Sequence, residues 1–242
     1  MLTKGIVYYS HPWLDPVIAE TCRKQLLRAA GGHYLVSVTL QPLDFGNMNI
    51  NLGLVPGYLT MFKQILMGVS NVQEDVCHLA EHDVLYADGA FDFVPPRNDI
   101  FFYNQNVWRV SAQTGQALFY KQRSVSQLCA HTQLLIDHYG DRIKFIEEHG
   151  FSFKQGFEPG CKRISHGGID NRKSDVWFSE KPNVDIRDHG SNTTLSMWDR
   201  AAFKNQKNTE GWTEAHGVPS WGRTFGSFPE FLKDVAEGRV PM

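Results

Sequence analysis

The sequence predicts an α/β fold: a single domain whose mostly parallel central sheet is flanked by helices, with an irregular C-terminal extension. Three observations predict it. A strand, a helix and a strand follow one another within the first 40 residues, the pattern of a βαβ unit. A strict apolar stripe at helical spacing, Tyr58 to Val69, then leads into a third strand. No internal repeat, low-complexity tract or linker divides the 242 residues, a length that suits one domain of ~100–200 residues, or one with an extension.

Each element has a local reason. Gly5 to Tyr9 is a short β-rich run ended by Ser10, His11 and Pro12. Asp15 followed by Pro16 is an N-cap and a first-turn proline, so a helix opens there. It carries Ile18, Cys22 and Leu26 on one face and stops at Gly31-Gly32. Tyr34 to Leu40 reads as the second strand and Gly46 to Gly53 as a Gly- and Asn-rich loop. Tyr58, Met61, Phe62, Ile65, Leu66 and Val69 form the next helix, and Asp75 to Ala80 the third strand, which runs directly into Glu81-His82-Asp83.

Ile100 to Val110 and Ala117 to Tyr120 are aromatic and β-rich, joined by a hairpin turn at Gln113-Thr114-Gly115. Val125, Leu128, Cys129, Leu135, Ile136 and Tyr139 mark another helix, capped at Ser124 or Ser126 and closed by Gly140. From Gly150 periodicity fades into a tail rich in Gly, Asn, Trp and His, with one last helix near Phe228 to Ala236. Packing is the default role for Trp212 and Trp221 in that tail. Residues 1–90 form the first half of the domain, and 91–242 the second half with the tail.

Composition excludes several functions. Twenty-four Lys plus Arg against 26 Asp plus Glu leave a formal charge of -2, so bulk positive charge does not hold nucleic acid. The aromatic content of 12% argues against disorder. No stretch reaches the ~18 apolar residues of a membrane helix; the most apolar one, Leu52 to Val69, is broken by Pro56, Lys63 and Gln64. The N-terminal residues lack the features of a signal peptide. Cys22, Cys77, Cys129 and Cys161 are widely spaced, with no C-x-x-C pair, and read as free thiols of a cytoplasmic protein. The fingerprints of dinucleotide-binding folds, P-loops, zincins and α/β-hydrolases are all missing.

Chemistry concentrates at Glu81 and Asp83. A spacing of two at the end of a strand puts both carboxylates on one side. In an open parallel sheet, ligands bind beyond the carboxyl ends of the strands. Two acids there suit a divalent cation, Mn²⁺ or Mg²⁺, that bridges to a nucleoside diphosphate; the competing reading is a solvated acidic strand end.

The run Val-Cys-His-Leu-Ala-Glu-His-Asp-Val-Leu-Tyr (76–86) resembles the strand and D-x-D-like element of GT-A-fold glycosyltransferases. Further stretches are similar to small, family-2-like glycosyltransferases of phage and environmental sequences. They include Tyr-Tyr-Ser-His-Pro-Trp-Leu-Asp (8–15), Gly-Tyr-Leu-Thr-Met-Phe-Lys-Gln-Ile-Leu (57–66), Phe-Asp-Phe-Val-Pro-Pro-Arg (91–97) and Tyr-Asn-Gln-Asn-Val-Trp-Arg-Val (103–110). Gly-Phe-Glu-Pro-Gly (156–160), Asn-Val-Asp-Ile-Arg-Asp-His-Gly-Ser-Asn-Thr-Thr (183–194) and Val-Pro-Ser-Trp-Gly (218–222) continue the likeness in the same order, nearly end to end.

The resemblance implies a GT-A-like domain, with residues 1–90 the nucleotide-binding half and 91–242 the acceptor half and tail. It implies a metal-dependent transfer from a nucleotide-sugar donor, UDP-sugar favoured, to a hydroxyl acceptor. Asp83 would coordinate the metal with His189, and Glu81 would hold the ribose or help the metal indirectly. Ser10 and His11 would sit beside the base or ribose. This chain departs from the D-x-D pattern at Glu81 and at His82. Asn104, Asn106, Trp108 and Arg109 are the expected acceptor contacts, with Trp108 stacking if exposed and packing if not. Glu158 is the candidate general base of an inverting transfer, stiffened by Pro159; a cap or turn is its competing role.

Acceptors include glycans, glycolipids and, from the phage association, hydroxymethylated pyrimidines in DNA. Lys154 to Lys173 carries five basic residues (Lys154, Lys162, Arg163, Arg172, Lys173) against Glu158 and Asp170, a segment suited to a phosphate-bearing acceptor or to plain solvation. Two other functions compete: a nucleotide-binding module without transfer chemistry, and a metal-dependent nuclease or phosphodiesterase using Glu81, Asp83 and His189.

Overall fold

A computed structural model describes residues 2–161, 169, 171–191 and 210–241. Of the residues named above, Lys162, Arg163, Asp170 and Asn192 to Thr194 lie outside them. The chain begins with strand β1 (Lys4–Tyr9), helix α1 (Pro16–Ala30) and strand β2 (Tyr34–Thr39). Asp15 accepts from the backbone N–H groups of Val17 and Ile18, and Gly31 ends α1 at φ 56°, a left-handed conformation that costs a glycine little. Strand β3 (Met48–Asn51) lies inside the expected Gly/Asn loop: it is an exposed edge strand parallel to β2, too polar and short to signal itself. Helix α2 (Tyr58–Val69) and strand β4 (Val76–Glu81) fall where the stripe and the apolar run place them.

The middle of the chain departs further from expectation. After β5 (Val84–Leu85), the section expected as one β-rich run is two strands, β6 (Ile100–Asn104) and β7 (Val107–Ser111), which belong to different sheets. The Gln113–Gly115 turn does join β7 to an antiparallel β8 (Ala117–Phe119). The single helix expected from Val125 to Gly140 is a 3-10 turn (Val125–Gln127), a strand β9 (Leu128–His131) and helix α3 (Thr132–His149). Helix α3 runs through Gly140 and ends at Gly150. The tail supplies β10 (Lys173–Trp177), β11 (Asn183–Arg187), β12 (Thr213–Ala215), β13 (Gly217–Val218), β14 (Gly222–Arg223) and helix α4 (Phe228–Ala236).

Among the described residues the largest sheet has the order β10-β6-β9-β4-β1-β2-β3. Its pairs are parallel except those that β9 makes with β4 and β6. A second sheet, β12-β8-β7-β11-β5, stands beside it. Alternation along β1 shows how the large sheet is filled: Val7 and Tyr9 join the cluster under α2 and α3, while Ile6 and Tyr8 join the one under α1. Helix α2 approaches β1 so closely that a Cβ on Gly68 would lie 2.3 Å from Val7 Cγ1. Helix α1 serves both sheets, because Ile18 and Cys22 also pack with Val184 and Ile186 of β11 and with Trp221, Phe231 and Val235. Cys22, Cys77 and Cys129 are buried free thiols, and Cys161 is half-buried and free. Among the described residues no helix is long and apolar enough to cross a membrane.

Candidate functional site

Four segments converge at the carboxyl ends of β1, β2 and β4. They are the loop after β1 (residues 9–13), the start of α2 (56–64), the turn after β4, and residues 189–191 after β11. Between them lies a cavity of about 390 Å³ lined by residues that include Ser10, His11, Trp13, Tyr58, His82 and His189. Gln64 holds two walls together. Its buried Nε2 donates to Ser10 O and to Val38 O, both at 2.8 Å, and so ties α2 to the ends of β1 and β2. Tyr86 Oη does the same for the acidic turn, accepting from Glu81 N at 2.9 Å and donating to Ser126 O at 2.9 Å.

Strand β4 ends at Glu81, and the chain reverses through His82 and Asp83 into β5. The alternation that would put the two acids on one side therefore does not extend to Asp83, which lies outside the strand. Glu81 is half-buried, whereas Asp83 is 2% exposed and turned inward. The reason is β11, which pairs with β5 and donates from Ile186 N to Asp83 O at 2.8 Å. Arg187 pairs with Asp185 in this wall, and Arg109 and Asp83 lie within electrostatic reach of the pair. Two carboxylates and two guanidiniums thus balance each other away from water. Burial raises the Asp83 carboxyl above the ordinary carboxylate range, while Arg187 and Ser191 beside it pull the other way. Oδ1 of Asp83 is buried and makes no hydrogen bond.

The histidines divide by burial. His82, 1% exposed, has its pKa pushed down to about 4 by desolvation, so its ring is neutral, and the His11 ring meets it edge-on at 4.3 Å. His11 also lies 5.3 Å from the ring of Trp13, which is 64% exposed. His189 reaches the cavity wall with its Nε2 2.9 Å from Gln113 Nε2. Gly190 lets this loop pass against the first one: a Cβ there would lie 2.1 Å from Trp13 O.

Of the expected site residues, Ser10, His11 and His189 line the cavity; Glu81 and Asp83 do not, although they flank His82, which does. The expected acceptor residues do not meet them. Trp108 is core, packed with Val110 and Val184 and against Phe119. Arg109 is 2% exposed and spent internally, donating to Val107 O and Tyr120 O with its guanidinium 4.3 Å over the Tyr120 ring. Asn104 is buried, and with half-buried Asn106 it fastens the crossover between the sheets to Ser179. Glu158 does not line the cavity either. The carbonyls flanking it accept from Arg142 and Tyr103, which holds its segment beside α3 and β6. Trp221 is buried and donates to Pro182 O, as packing requires, and Trp212 stacks on Tyr120.

Trp13, Tyr58, Gln64 and Gly190 were not singled out in sequence. All four stand in the stretches that carry the resemblance, but they gain meaning only when β1, α2 and β11 meet.

The fold and the cavity define a mixed α/β protein with a cavity at the carboxyl ends of parallel strands, the place where open parallel sheets take their ligands. No protein-family model matches the chain, and no curated protein does. Among solved structures it is similar to a glycosyltransferase involved in glycosylation of the major capsid of PBCV-1, with TM-score 0.45 and 10% identity over 81% of this chain and 98% of that one. It is also similar to the glycosyltransferase GlyE of Streptococcus pneumoniae TIGR4, with TM-score 0.49 and 12% identity over 97% of this chain and 60% of that one. A third is the galactosyltransferase LgtC, with TM-score 0.45 and 12% identity over 97% and 95%.

Proposed function

We propose that the chain is a metal-dependent, GT-A-like glycosyltransferase that moves a sugar from a nucleotide-sugar donor, UDP-sugar favoured, to a hydroxyl acceptor. The observation that supports it best is the cavity at the ends of β1, β2 and β4, where the resemblance puts the donor and where Ser10, His11, His82 and His189 come together.

Departure of a nucleoside diphosphate develops negative charge on its β-phosphate oxygens. When bound, Mn²⁺ or Mg²⁺ supplies Lewis-acid stabilisation of that charge. The residues fit such an ion in a restricted way. Among the described residues no three His, Cys, Asp or Glu side chains gather as a ligand set. Asp83, however, keeps a buried oxygen without a hydrogen bond, and His189 lines the cavity. Asp83 and His189 would hold the ion, and phosphate oxygens would complete its shell, as suits a hard cation that prefers oxygen. Glu81, its N–H fixed by Tyr86, would face the ribose. Ser10 and His11 would border the base or ribose, and neutral His82 would add no charge there.

Calorimetry of UDP with and without Mn²⁺ tests this. UDP binds more tightly with Mn²⁺ to the wild type, and Asp83→Asn loses that gain. Metal-independent affinity that is unchanged in Asp83→Asn overturns the assignment.

A further inference from the structure

Beside the cavity mouth, large apolar side chains stand in water. Val55 is 81% exposed, Tyr58 53%, Phe151 44% and Phe153 72%. They come from two segments distant in sequence, the lead-in to α2 and the turn after α3. Tyr58 and Phe151 stack nearly parallel, with centroids 5.1 Å apart and planes 15° apart. Phe153 is held edge-on by Phe157 at 4.9 Å. Gly156 lies against the stack, since a Cβ there would make ordinary contact with both rings at 3.6 Å. Fixed aromatic faces at the surface cost free energy unless something uses them, and clustered ones mark an interaction site.

Two features say what fits. Tyr58 belongs to both surfaces, because it also lines the cavity, so anything laid on the aromatic faces lies next to a ligand inside. The faces themselves are uncharged, and because Tyr58 and Phe151 stack one over the other, the face that each has left for a ligand is its outer one. A pyranose presents on one side a patch of C–H bonds with partial positive charge, complementary to the negative face of an aromatic ring. Its hydroxyls stay at the rim, where water or the cavity serves them. The buried Asn104, Trp108 and Arg109, and the half-buried Asn106 tied to Ser179, leave the acceptor without the contacts expected in sequence.

We propose that Tyr58, Phe151 and Phe153 form the acceptor subsite, and that the acceptor is a carbohydrate whose pyranose ring stacks there. This rests on the donor reading of the cavity. Phe151 and Phe153 set which acceptor is held, and Tyr58 joins acceptor to donor.

Saturation-transfer NMR on the whole chain with UDP and Mn²⁺ tests it. The probes are methyl glucosides, methyl galactosides, lactose and maltose, with a hydroxymethylcytosine oligonucleotide alongside. The ring C–H protons of at least one glycoside receive saturation from the wild type. In Phe151→Ala and Phe153→Ala that affinity falls roughly tenfold, the loss expected for one aromatic anchor. Calorimetry with UDP on each variant reports the donor site separately. If UDP does not bind the wild type, the donor reading fails, whatever the glycosides do. If UDP binds and no glycoside does, or the two variants hold glycosides as well as the wild type, the acceptor subsite is overturned. An oligonucleotide that binds while every glycoside fails overturns it as well, in favour of DNA.

Discussion

Gly190→Ala probes the closest contact in the site. Gly190 does not use a positive φ, so alanine meets no conformational barrier and its effect is one of space alone. The added Cβ would lie 2.1 Å from Trp13 O and 2.6 Å from both Trp13 C and Leu14 Cα. All three are backbone atoms, so no side-chain rotation relieves them. Ordinary contact begins near 3.4 Å, so the two loops must part by about 1.3 Å. Overpacking of this kind costs ~1–3 kcal/mol. Both loops line the cavity, and its width grows by the same displacement. Urea unfolding is expected to show that loss of stability, and calorimetry a roughly tenfold loss of UDP affinity, equal to ~1.4 kcal/mol. Gly140→Ala is the matched control: in mid-helix, with nothing within 4 Å of the new Cβ, it should gain ~0.5–1 kcal/mol. A Gly190→Ala protein as stable as wild type, with unchanged UDP affinity, would refute the reasoning.

Gln64→Leu removes the donor that serves Ser10 O and Val38 O, and should cost ~1–3 kcal/mol in urea unfolding and weaken UDP binding. Stability equal to wild type would show that these carbonyls do not need it. Gly68→Ala gains helix propensity of ~1 kcal/mol but drives its Cβ to 2.3 Å from Val7 Cγ1, so a net loss of stability is expected; a rise in Tm would mean that α2 shifts freely. Burial pushes the His78 pKa down to about 3. The unfolded chain therefore takes up a proton below about pH 6.5 that the folded chain refuses, and this group's contribution to stability falls by ~1.4 kcal/mol per unit as pH drops towards 4. Asp185, pushed up to about 6 by burial, gives the opposite slope over the same range. The test is thus the difference between wild type and His78→Asn, unfolded by urea from pH 7 to pH 4.5: parallel curves would contradict it.

Local signals made the first half of the fold readable. Asp15-Pro16 and Gly31 bound α1 because their effects act within a turn, and the stripe of α2 reports a face that has one partner surface. Leu128-Cys129-Ala130 shows the limit, since a short apolar run has the same composition in a buried strand as in a buried helix. Pairing with Cys77 and Phe102 decides for a strand, and both partners are distant in sequence. Strand β11 was hidden for another reason. Asp185 and Arg187 make it read as a surface segment, yet all five of its residues are buried, because the charges find each other. Arg109 misled in the same way: its partners, Tyr120 O and the Tyr120 ring, lie across a hairpin. Ser10 and His11 line the cavity because they follow β1, a strand legible in the sequence, where a parallel sheet opens; His189 follows β11, which is not legible, and comes only from the resemblance.

The pairing of β5 with β11 joins residues about 100 positions apart, Val84 with Asp185 and Leu85 with Val184. During synthesis the acidic turn therefore emerges long before the wall that shields it. Until β11 arrives, Asp83 is hydrated, the apolar face of α1 has no second sheet to meet, and the cavity lacks His189 and Gly190. Distant contacts of this kind form late and slow the final step. The nascent first half holds strands β1 to β4, but the cavity is completed only as the last third of the chain docks.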